Sequence, residues 1–126
     1  MNADEITVSD YMDAMAGQAA RDIVAERVRQ VVKEGWLPSH DDQHAVGELA
    51  KAAGCYAWIA GQSDELRLIF DAPPPTWPSN WGSDWWKPTD RRRDLVKAGA
   101  LILAEIERLD RIQREAMVNG NSRRIQ

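Results

Sequence analysis

DWWKPTDRRRDLVKAGALILAEIERLDRI, residues 84–112, governs how the rest of the chain is read. Pro88 blocks helix on its N-terminal side, and Thr89 or Asp90 supplies an N-cap for the helix beyond it. Leu95, Ala98, Ile102, Leu109 and Ile112 then recur at helical spacing with no proline to interrupt them. Between Ala98 and Ile106 the only charge is Glu105. A helix apolar around so much of its circumference belongs in the middle of the molecule, with Leu95 facing the core. The pattern predicts a helix over about 90–117.

Its first turn carries Arg91, Arg92 and Arg93 at the positive end of the helix dipole, where anions are favoured and cations are not. Three guanidinium groups beside free backbone N–H groups suit a phosphate. Pairing with nearby carboxylates, Asp41, Asp42, Asp84, Asp90 or Asp94, is the alternative for each of them. If Arg91 and Arg92 lie on the inward side with Leu95, the acidic start of the preceding helix is their expected partner.

Toward the N-terminus, residues 1–8 read as a flexible arm. Ser9 caps a first helix over about 10–34, striped by Met12, Met15, Ala16, Ala19, Ile23, Val24, Val28, Val31 and Val32. Arg21, Asp22, Glu26, Arg29 and Lys33 read as its solvated face. Gly35 stops it, Trp36 folds back, and Pro38 prevents continuation. A second helix over about 42–60 buries Ala45, Leu49, Ala53, Tyr56 and Ala60, with Val46 and Ala57 flanking and Gly61 ending it. Residues 61–88 show no helical pattern. LRLIF (66–70) reads as a short extended piece, and the Trp- and Pro-rich run after it as a packed, functional loop. The predicted architecture is all-α: three principal helices in one domain over 9–117, with a frayed tail over 118–126.

Composition bounds the function. A chain of 126 residues makes one domain with a modest core. Its net charge of −4 argues against a general nucleic-acid binder. The single cysteine, Cys55, excludes an internal disulfide and fits a reducing cytoplasm. The stretch MNADEITVSD is acidic and without an apolar run, so no secretory signal is predicted, and no segment approaches the length of a membrane span. Six tryptophans against one phenylalanine and two tyrosines place the aromatic weight in the loop.

Three constellations could carry chemistry. His40, Asp41, Asp42, His44 and Glu48 gather carboxylates and imidazoles, with His44 and Glu48 on one helix face. They suit a divalent metal or an oriented base, or else simply cap the helix. Asp94 and Glu105 share a stripe with Ala98 and Leu101. Glu105 has Arg108 one turn on, and Asp94 needs Lys97 or an arginine from another helix. Trp85 and Trp86, with Lys87 at the rim, offer stacking faces for a base whose phosphates meet the arginines, or else plug the bundle end. Asp42, Glu48 and Asp94 are the metal candidates.

HDDQHAVGELAKAAGCYA (40–57) and DWWKPTDRRRDLVKAGALILAEIERLDR (84–111) resemble small proteins of tailed phages and prophages, over roughly residues 25–112. That resemblance implies a phage accessory protein in the bacterial cytoplasm. The chain is also similar, more weakly, to the MazG-type all-α nucleotide pyrophosphohydrolases, whose ExxE and ExxD helices hold Mg²⁺ against a nucleotide. Here Glu48 lacks the second glutamate, Lys51 standing in its place, and Glu107 with Asp110 matches ExxD far down the last helix.

The functional expectation is a binder of a phosphate-bearing nucleotide-like signal, sequestering it in counter-defence. Its site draws on Arg91, Arg92, Arg93, Trp85, Trp86, Lys87, His40, Asp41 and His44. The alternatives are a Mg²⁺-dependent pyrophosphohydrolase and a protein-binding adaptor. A central helix apolar on nearly all sides further predicts a homodimer or larger assembly.

Overall fold

The computed structural model describes residues 6–15, 17–44 and 46–125. Among them the chain forms six α-helices and no strand: α1 (Val8–Met15), α2 (Gln18–Lys33), α3 (Pro38–Asp41), α4 (Glu48–Ala60), α5 (Asp64–Ile69) and α6 (Arg91–Ile125). No described helix is long and apolar enough to cross a membrane. All-α is right, and three principal helices is not. Residues 1–5, Ala16, Ala45 and Gln126 lie outside the described residues.

The extra elements have local causes. Thr7, not Ser9, caps α1: its hydroxyl accepts from Asp10 N at 3.1 Å while the Asp10 carboxylate accepts from Thr7 N at 3.1 Å, a reciprocal box. The first predicted helix divides near Gly17, the N-cap of α2. At the other end of α2, Gly35 takes the left-handed conformation (φ 74°) and Trp36 N donates back to Gln30 O at 3.0 Å, as the sequence pattern requires. Pro38 opens α3 rather than only ending the helix before it. A left-handed Gly47 (φ 88°) then delays α4 to Glu48. LRLIF is not extended. Ser63 accepts from Leu66 N at 3.3 Å and starts the short helix α5. The last helix extends beyond 117, to Ile125.

The core lies between α4 and α6. Leu49, Ile59 and Leu101 are fully buried, and Ala52, Ala53, Ala98 and Ala104 let the two helices approach closely. Each large side chain there contributes ~1.5–3 kcal/mol. Trp77 and Trp86 come down from the loop and cover Tyr56. Gly99 marks where α2 crosses α6: a Cβ there would lie 2.9 Å from Ile23 Cδ1.

The faces turned inward are not those predicted. On α6, Leu95, Ile102, Leu109 and Ile112 are each about half exposed, while Asp94, Ala98, Leu101 and Arg108 form the buried stripe. On α2 one member of the supposed solvated face, Glu26, is buried together with Arg27 and Gln30, while Val24, Val28 and Val32 of the predicted apolar stripe are exposed. These polar groups are tolerated because charge meets charge. Arg27 donates to Asp41 at 2.5 Å, and Arg29 and Arg93 both donate to Glu26.

Candidate functional site

The wall of the site begins with Trp36. The turn at Gly35 fixes its backbone, and Arg27 donates both to Trp36 O at 3.4 Å and to the buried Asp41. Asp41 is fully buried, so it positions α3 rather than facing a ligand. With α3 thus held, His40 stacks on Trp36, ring centroids 5.9 Å apart and planes within 6°. His44 meets His40 edge-on at 4.7 Å. Its Nδ1 is 3.2 Å from Glu48 Oε2, near enough to orient the ring but not aligned as a hydrogen bond.

The opposite wall comes from the loop. Tyr56 accepts from Lys87 N at 3.1 Å and donates to Trp85 O at 3.2 Å, pinning the 3-10 turn Ser83–Trp85 against α4. Trp81 and Trp85 each lie 6.1 Å from Trp36, and Trp81 is 5.3 Å from His44. The result is a cleft of about 190 Å³, walled by Trp36, His40, His44, Trp81 and Trp85 and floored by Asn80 and Gly82. Drug-sized ligands occupy ~300 Å³ or more. A cleft of this size has room for one flat ring system.

Its polar lining is unspent. His40 Nδ1, His44 Nε2 and Trp81 Nε1 are buried without a hydrogen-bond partner. Most buried side-chain polar atoms are partnered, so three on residues that wall one small cleft stand out; the nearest charged group to His40 Nδ1 is Asp41 Oδ1, at 3.6 Å. A smaller cavity of about 60 Å³ adjoins it through Trp36, Trp81 and Trp85. There Gln30 Oε1 and Trp77 Nε1 are also unpartnered. Lys97 reaches in with its ammonium 5.5 Å from the Tyr56 ring and 2.5 Å from Lys87 O. Burial, with Arg93 nearby, pulls the Lys97 amine below the ordinary lysine range, and burial pushes the Tyr56 hydroxyl up.

At the rim, Lys87 stands 5.6 Å over the Trp85 ring and makes no ion pair among the described residues. Trp85 is half exposed and presents a face. Trp86 is buried against Tyr56 and Trp77, so it plugs the core and offers no platform.

The arginine row is differently placed. Arg91 donates to Ala60 O, to Gln62 O at 2.8 Å and to Asp64 at 2.7 Å, closing the end of α4. Arg92 pairs with Asp22 at 2.8 Å and Arg93 with Glu26. Asp90 accepts from Arg93 N at 2.8 Å, filling the dipole end of α6 with the protein's own carboxylate. Burial acts to raise the Glu26 carboxyl, but hydrogen bonds from Arg29 and Arg93 outweigh it and hold the group below its ordinary value. The open hollow of about 460 Å³ here holds Arg29, Arg92 and Arg93 against Asp22, Glu26 and Asp90, with no net charge. The expected contact between this row and Asp41, Asp42 and His44 is not made: Asp41 goes to Arg27 and Asp42 to Arg111.

Nor do the metal candidates meet. Asp42 is held by Arg111, Glu48 faces His44, and Asp94 takes Arg67 at 2.7 Å and Thr89 N at 2.8 Å. No three His, Cys, Asp or Glu side chains among the described residues stand close enough to share an ion. Glu105 pairs with Arg108, as its spacing predicts.

Trp36, Trp81, Asn80, Gln30 and Lys97 escaped the sequence reading as site residues. One signal was present: Trp36, His40 and His44 recur every fourth residue, which places three rings along one side of a helical path. The chain has no significant match to a known protein-family model, a curated protein or a solved structure.

Proposed function

We propose that the protein binds a nucleotide-like small molecule, with its base in the cleft between Trp36, His40, His44, Trp81 and Trp85. One observation carries this reading: the cleft is open, ring-lined and supplied with unpartnered ring nitrogens. A heteroaromatic edge offers donors and acceptors to His40 Nδ1, His44 Nε2 and Trp81 Nε1, while its face stacks on Trp85. The anionic part of the ligand leaves the cleft past Lys87, the unpaired cation at the rim. Phosphate at the arginine row would first have to displace Asp22, Glu26 or Asp90.

Retention rather than turnover is supported by three engaged carboxylates, Asp41 by Arg27, Asp42 by Arg111 and Asp94 by Arg67, which leave Glu48 beside His44 with no second carboxylate to share a metal among the described residues. In the phage setting that the sequence resemblance suggests, such a binder would withdraw a host defence nucleotide from use.

The test is retention of a nucleotide panel with Mg²⁺, then calorimetric titration of whatever is kept unchanged. Trp85→Ala should weaken binding by ~1–3 kcal/mol, the cost of one stacking face. Lys87→Ala should weaken a charged nucleotide more than its nucleoside. Equal affinity in the parent and both variants would remove the cleft as the site.

A further inference from the structure

Two apolar ridges, on α2 and on α6, stand uncovered. Amphipathic helices put apolar side chains inward, yet α2 divides its own, turning Ile23 to Gly99 of α6 but leaving Val24, Val28 and Val32 in solvent while Glu26, Arg27 and Gln30 are buried. On α6 the exposed residues Leu95, Ile102, Ile106 and Leu109 succeed one another at spacings of seven, four and three, a single ridge along the helix. α1 adds Tyr11 and Met12 to the exposed apolar surface. Scattered surface hydrophobics are ordinary, but ordered ridges on successive helices are not.

The exposed area points to a second copy of the chain as what covers them. A compact monomer of 14.2 kDa exposes ~6,800 Å² by the usual mass scaling, whereas this chain exposes 8846 Å². The excess, roughly 2,000 Å², to which the exposed run 112–119 of α6 also contributes, is of the order that one subunit of an obligate homodimer buries.

Helix length gives a third argument. At 35 residues α6 spans roughly 52 Å, far beyond a small domain's ~30 Å. Its last ion pair with the body of the molecule, among the described residues, is Arg111 to Asp42, and every residue over 112–119 is exposed. A segment of that size without packing is marginal as a helix in water. We infer that the chain assembles as a two-fold homodimer through the α2 and α6 ridges, the distal half of α6 lying along the partner. A two-fold contact lets each copy cover the other and stops growth there. None of the five ring residues of the cleft belongs to these ridges, so the ligand reading and this one fail separately.

Sedimentation equilibrium of the full chain, from about 1 to about 50 μM, tests it. The parent should sediment at twice the chain mass. Ile106→Glu and Val28→Glu should each raise the dimer dissociation constant about a hundredfold, since each buries an unpaired charge. Val46→Glu, exposed but off both ridges, should leave the mass unchanged. Far-UV circular dichroism reports folding, and dissociated samples should lose only helix from the end of α6. Where a glutamate variant does not fold, Ile106→Ser is read instead. A monomeric parent at about 50 μM, or dimers persisting in both ridge variants, would overturn the proposal. So would a monomeric parent whose ridges bind lipid vesicles or a host protein.

Discussion

The aromatic cleft and the arginine row both look like ligand sites in the sequence, and the structure treats them in opposite ways. At the row, every guanidinium has a carboxylate or carbonyl of the chain itself, and Asp90 fills the helix N-terminus. At the cleft, ring nitrogens remain buried and unpartnered. Charge in a sequence measures what could bind. Availability depends on what the fold has already brought to each group.

If the ion pairs around the start of α6 are structural, the largest effects should be on stability there, at the buried pair of Arg67 with Asp94. Asp94 is fully buried and joins Arg67 to the start of α6, so Arg67→Ala should cost ~3–5 kcal/mol in denaturant unfolding by stranding that carboxylate. A loss below ~1 kcal/mol would put this pair in the class of exposed surface pairs.

Glu26 gives a pH-dependent version. Its folded carboxyl titrates below the ordinary 4.5, so the stability it contributes is fully present above that pH. That contribution fades as the pH falls through the depressed folded value. Glu26→Gln should cost ~1.5–3 kcal/mol at neutral pH, the worth of hydrogen bonds to charged groups. Urea midpoints between pH 6 and pH 3 should then fall less steeply for the variant than for the parent. Parallel profiles would show that Arg29 and Arg93 do not depend on this carboxylate.

The cleft should respond in binding and not in folding. His44→Phe keeps the ring and removes Nε2, so it should weaken a retained nucleotide by ~0.5–1.5 kcal/mol with the unfolding midpoint nearly unchanged. Unaltered affinity would confine recognition to stacking. The smallest effect belongs to Arg92, an exposed partner of Asp22. Arg92→Ala should change stability by less than ~1 kcal/mol and leave affinity untouched. A tenfold loss of affinity would make the row part of the site after all.

The helical class and most of the punctuation were legible in the residues alone. Gly35, Pro38 and Pro88 act through their own backbone limits, which no neighbour has to supply. The buried face of α4 was legible too, because Leu49, Ala53, Tyr56 and Ala60 leave one apolar side to choose. Which way α2 and α6 turn was settled by packing. Both carry apolar residues on more than one side, and periodicity says that a stripe exists without saying what covers it. Packing also settled the partners of the arginines. A guanidinium reaches far enough to choose among carboxylates 27 to 67 residues away in the chain, as Arg67–Asp94 and Glu26–Arg93 do. The cleft was half legible for the same reason. Trp85, His40 and His44 announce themselves as rings near charge, but their meeting with Trp36 and Trp81 depends on Arg27 and Tyr56 holding two loops face to face.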